Sequence, residues 1–94
     1  MPKQPPVSGN VLHAFGLRLK QLRKLEGLTQ AELAERSGLG LEHIGRMERG
    51  MVGPSFATLH ALADALNTTP AFLLTTDTAP GPEAEEHRPL DWSR

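Results

Sequence analysis

Gly27-Leu28-Thr29-Gln30-Ala31-Glu32-Leu33-Ala34-Glu35-Arg36-Ser37-Gly38-Leu39-Gly40-Leu41-Glu42-His43-Ile44-Gly45-Arg46-Met47-Glu48-Arg49-Gly50 reads as two short helical patterns hinged at Ser37-Gly38-Leu39-Gly40. Thr29 with Glu32 three residues on is a reciprocal capping box, so a helix starts there and turns Leu33 and Ala34 inward. Gly38 breaks it. The next pattern runs from about Leu41 to Arg49 with Ile44 and Met47 on its inner face and Gly50 as its cap. Two helices across so short a turn form a helix-turn-helix, and the second of such a pair fits the major groove of DNA.

Outward from this unit the pattern stays helical. A first helix starts near Asn10, an acceptable N-cap, and carries Leu12, Phe15, Leu19 and Leu22 at the spacing of one buried stripe before Gly27 ends it. A fourth is capped by Ser55 and shows Phe56, Leu59, Leu62, Ala63 and Leu66 on one side. Thr69-Pro70 supplies a cap and a first-turn proline for a fifth through Phe72 and Leu73. The expected fold class is all-α, a compact five-helix domain with the helix-turn-helix in its second and third helices. Residues 1–9 read as a flexible N-terminal arm, 10–74 as the folded domain and 75–94 as a flexible, acidic, proline-containing tail.

At 94 residues without cysteine, one small domain is the limit, and neither disulfides nor a cysteine-based metal site can reinforce its core. A chain this size buries only about 60% of its unfolded surface, so pairing with a second copy would help. The net charge of −1 conceals an asymmetry. Residues 1–50 hold eight Lys and Arg against five Glu, a balance of +3, whereas from Asp77 onward two Arg face five acids, a balance of −3. The basic half contains the helix-turn-helix, as binding to a polyanion requires. No stretch approaches the roughly 20 apolar residues of a membrane span, and the opening residues lack the apolar core of a signal peptide. A cytoplasmic location is the expectation.

The residues Thr29-Gln30-Ala31-Glu32-Leu33-Ala34, Gly38-Leu39, Ile44, Met47-Glu48-Arg49-Gly50, Pro54-Ser55, Thr58-Leu59 and Leu62-Ala63-Asp64-Ala65-Leu66 carry a resemblance. Together they resemble the lambda-repressor-like (XRE/Cro-type) helix-turn-helix family of bacterial and phage transcriptional regulators, over roughly Phe15 to Leu74. The resemblance implies that Gln30 bonds a DNA phosphate and buttresses the third helix, beside Thr29 and the free N–H groups around it. It places Leu41, Glu42, Gly45 and Arg46 on a base-reading face, with Gly40 and His43 beside them. Arg46 is the foremost reader, because a guanidinium can fork onto guanine O6 and N7 for about 1 to 3 kcal/mol of discrimination. Arg49 and Ser55 fall where the family contacts the DNA backbone, and Arg23 with Glu48 where it forms a structural ion pair.

Each role has a plainer counterpart. Thr29 and Gln30 can simply cap a helix, Arg46 can be a solvated charge, Glu42 a helix-start acid, and Leu41 can belong to the core. Gly40 and Gly45 soften the third helix, and Gly45 supplies no side chain to read a base. Hence a second reading, in which the same fold binds another protein without specific DNA binding. An enzyme is disfavoured: His13, His43, His60 and His87 are scattered, and no serine stands in a Gly-x-Ser-x-Gly elbow. No metal and no cofactor are expected. The predicted partners are a pseudo-palindromic double-stranded operator and a second copy of the chain, docked through Leu62, Leu66, Phe72, Leu73 and Leu74. A regulatory protein is a further candidate, with Trp92 in the tail as a possible anchor.

Overall fold

Five helices follow one another in the computed structural model, which describes residues 7–75: α1 (Val7–Leu25), α2 (Gln30–Ser37), α3 (Leu41–Glu48), α4 (Phe56–Ala65) and α5 (Pro70–Leu73). No strand occurs among the described residues. Residues 1–6 and 76–94, with the outer part of the expected arm, nearly all of the tail, His87 and Trp92, lie outside them.

Local chemistry sets the helix ends. Gly27 takes φ 73°, a left-handed conformation that costs a glycine nothing, and the Leu28 N–H returns to the Arg23 carbonyl at 3.1 Å. At α2 the Thr29 hydroxyl accepts from the Glu32 N–H at 3.0 Å while the Glu32 carboxylate accepts from the Thr29 N–H at 2.8 Å, completing the capping box. Ser55 and Thr69 cap α4 and α5 with the side-chain half of that arrangement alone, accepting from the N–H of Thr58 and of Phe72, both at 3.1 Å. Asn67 closes α4 at φ 58°, the left-handed region that asparagine tolerates better than most residues.

Leu19, Leu33, Ile44, Met47, Leu62 and Leu73 are fully buried, so every helix contributes to a single core. α3 packs on α1 and α2, α2 also packs on α4, and α5 bridges α4 and α1. The helix-turn-helix is thus backed on two sides by α1 and α4, which holds α3 at a fixed attitude.

Four expectations change. α1 starts at Val7, so Asn10 lies within the helix rather than capping it. Cap preferences differ by only about 1 kcal/mol, too little for sequence to fix a first turn. Leu12 is half-buried rather than part of the deep stripe. Phe56 is 76% exposed and meets the His60 ring edge-on at 5.0 Å, because it is the first residue of α4 and projects beyond the core. Leu62, Leu66 and Leu73 are core residues and cannot offer a docking face. α4 lies between α2 and α5 and is covered on more than one side, which a periodic apolar pattern does not reveal.

Candidate nucleic-acid interface

The geometry of the interface begins with Glu48. Its Oε2 accepts from Arg23 Nε at 2.7 Å, and its Oε1 accepts from both Arg23 Nη2 at 3.0 Å and Gln30 Nε2 at 2.9 Å. Arg23 Nη1 donates to the Leu28 carbonyl at 2.8 Å. Both charged side chains are buried, at 9% and 3% exposure, and every nitrogen of the guanidinium and both carboxylate oxygens have a hydrogen-bond partner, the condition under which a buried ion pair is tolerated. The hydrogen bond to Glu48 raises the Arg23 pKa above its ordinary value, outweighing the opposing effect of burial. Together these groups tie the end of α1, the start of α2 and the end of α3 into one rigid corner.

Gln30 has the buttressing half of the part the resemblance implies. One Nε2 hydrogen is committed to Glu48, leaving the second, with the N–H groups of Gln30 and Ala31 at the head of α2, without an intrahelical partner. The Thr29 and Ser55 hydroxyls are engaged in capping. Ser55 also donates to the Thr58 hydroxyl at 2.9 Å.

α3 divides sharply. Ile44, Gly45, Met47 and Glu48 are buried, while Leu41, Glu42, Arg46 and Arg49 face solvent. Leu41 is 51% exposed and so does not belong to the core. Glu42 and Arg46 pair across one helical turn at 3.7 Å, with side chains 78% and 48% exposed. Such an exposed pair contributes about 0.3 to 0.5 kcal/mol, less than the roughly 1 to 3 kcal/mol of a guanidinium fork on guanine, so it does not hold Arg46 back from a base. Gly40 is exposed and opens α3 without a side-chain cap. His43 is half-buried, with Nε2 enclosed and without a hydrogen-bond partner among the described residues.

Gly45 departs furthest from expectation. It is buried, because Arg49 Nη1 lies 3.2 Å and Gln30 Oε1 4.0 Å from where its Cβ would stand. Gly16, which the sequence reading passed over, is needed for the same corner: a Cβ there would meet the Met47 carbonyl oxygen at 2.5 Å and that of Glu48 at 2.6 Å. A glycine within an apolar helical stripe was its only signal. Among the described residues no group of His, Asp and Glu could hold a metal, and no helix is long and apolar enough to cross a membrane.

A helix with one face locked into a core and the other presenting polar side chains beside the head of a second helix defines a class, the helix-turn-helix domains. The helix-turn-helix family model matches residues 19–73, and the chain belongs to this family, in its lambda-repressor-like branch of transcriptional regulators. It is 39% identical over 66 residues to the HTH-type transcriptional regulator y4dJ of Sinorhizobium fredii, covering 69% of this chain and 86% of that protein. The restriction-modification controller protein C.AhdI from Aeromonas hydrophila superposes with a TM-score of 0.65 at 42% identity, covering 66% of this chain and 94% of the other. SinR, the master regulator for biofilm formation, in complex with DNA, gives 0.62 at 33% identity over 64% of this chain and 97% of its own.

Proposed function

We propose that this protein is a sequence-specific double-stranded DNA-binding regulator of transcription that lays α3 in the major groove, with repression by occlusion as the simplest mechanism. The observation that carries this reading is the division of α3: Leu41, Glu42, Arg46 and Arg49 are free of the core on a helix whose other face is fixed by Ile44, Met47 and the Glu48 corner. Arg46 reads a base, Arg49 and the head of α2 at Gln30 meet phosphates, and the Thr29 and Ser55 caps hold the flanking N–H groups in place. The chain acts by binding and not by catalysis, in the cytoplasm where its operator lies.

Two copies on a pseudo-palindromic operator would place their α3 helices about 34 Å apart, in successive major grooves. With Leu62, Leu66 and Leu73 committed to the core, the pairing surface falls to Phe72 and Leu74 at the end of the chain's last described helix, 47% and 52% exposed.

Fluorescence anisotropy of a labelled duplex from upstream of the protein's own gene, with scrambled competitor and a salt series, tests the reading. The expected result is competitor-resistant binding that weakens steeply with salt, and a loss of about 1 to 3 kcal/mol on Arg46→Ala together with relaxed preference at one base pair. Absence of binding even at low salt would favour a module that recognises another protein.

A further inference from the structure

Three features of α3 meet at one place. Gly45 is buried although it has no side chain, and what covers it is the guanidinium of Arg49 and the amide of Gln30. Arg49 stands one turn further along, its N–H bonded to the Gly45 carbonyl at 3.0 Å, and a side chain there leans back toward the helix start. Its guanidinium has no carboxylate partner among the described residues. The adjacent Glu48 has both oxygens committed to Arg23 and Gln30.

We infer that Gly45 is a positioning residue for DNA: its missing side chain opens a notch in α3 where the Arg49 guanidinium rests beside Gln30, set in advance to meet a backbone phosphate. The inference rests on the DNA-binding reading above. An unpaired arginine on an open helix end samples many rotamers, and ordering it on binding has a cost. The notch removes part of that cost. Any Cβ at position 45 would stand 3.2 Å from Nη1. Arg49 would have to lift by a few tenths of an ångström or swing out, which the far end of a flexible side chain does easily. The fold therefore has little need of this glycine, and a helix interior disfavours glycine relative to alanine.

That separation makes the inference testable, because Gly45→Ala moves stability and binding in opposite directions. Thermal unfolding of the full chain is expected to shift upward by a few degrees. Affinity for the duplex from upstream of the protein's own gene falls severalfold, while the slope of log K against log salt is unchanged because the displaced guanidinium keeps its charge beside the phosphate. Arg49→Ala gives the larger loss and lowers the slope by about one contact, and the double variant is no weaker than Arg49→Ala alone, since Gly45 acts only through Arg49. If the wild-type chain binds and Gly45→Ala matches it in affinity, the notch has no role. Losses that add in the double variant would assign the glycine to direct approach of the helix backbone to DNA, which also overturns the inference. Failure of the wild-type chain to bind at all would remove the DNA-binding reading and this inference with it.

Discussion

Glu48 accepts three hydrogen bonds from two residues, so its removal is felt beyond its own position. Glu48→Ala would leave the Arg23 guanidinium buried with only the Leu28 carbonyl, and an uncompensated buried charge of this kind costs about 3 to 5 kcal/mol. Urea unfolding measures it; a loss below about 1 kcal/mol would mean that water reaches the pair and the corner is not closed. The Arg23 shift also has a defined sign. Its pKa is raised in the folded chain, so the associated stability is fully present below the ordinary arginine value and is lost only as pH climbs through the raised one. Arg23 thus contributes no pH dependence near neutrality. The pairing of Arg23 with Glu48 was legible in the sequence through the family resemblance alone, since 25 residues separate the two. The resemblance implied that Gln30 buttresses α3, but that it does so through Glu48, and that Arg49 folds over Gly45, was not legible, because both depend on which of several rotamers a long side chain adopts once the helices have met.

Caps made α2, α4 and α5 readable, though not the start of α1, because a cap is a contact between residues three apart and needs no tertiary structure. Thr29 with Glu32, Ser55 with Thr58 and Thr69 with Phe72 all form as their spacing dictates. What covers a helix was less readable. The apolar periodicity of α4 picked out the buried Leu59, Leu62, Ala63 and Leu66 together with the exposed Phe56, and it could not show that the buried ones lie against α2 and α5 inside one core rather than against a second copy. The approach of α1 to α3 was equally hidden, and it depends on Gly16. Gly16→Ala sets about 1 kcal/mol of improved helix propensity against a Cβ 2.5 Å from the Met47 carbonyl oxygen. Backbone cannot yield as a flexible side chain does, so overpacking wins and a net loss of about 1 to 3 kcal/mol is expected by denaturant titration. A stability equal to or above that of the parent chain would show that α1 and α3 can separate without consequence. The contrast with position 45 is instructive: two glycines in helices, one facing backbone and the other facing a side-chain tip, should respond to the same substitution with opposite signs.

For the molecule as a whole, a stability of roughly 5 to 15 kcal/mol leaves modest room for either loss, and association with a second copy would add to it by mass action. The proposed pairing surface at Phe72 and Leu74 is small, and Phe72 is already partly engaged: the Arg18 guanidinium lies 4.2 Å from its ring centroid, and Arg18 Nε donates to the Phe72 carbonyl at 3.4 Å. These contacts orient α5 on α1 and fix the direction in which the ring projects. Phe72→Lys keeps the helix and its Thr69 cap but places a charge on the apolar surface beside the like-charged Arg18, where pairing would bury it without a partner. Sedimentation at tens of micromolar is expected to give a dimer for the parent chain and a monomer for the variant, with helical content unchanged. DNA binding should separate the two further, because a monomer reaches one half-site only and loses the gain from linking two recognition helices on one operator. A parent chain that sediments as a monomer, or a variant that still pairs and still binds the full operator, would shift the search for the interface away from α5 and leave α3 to act alone.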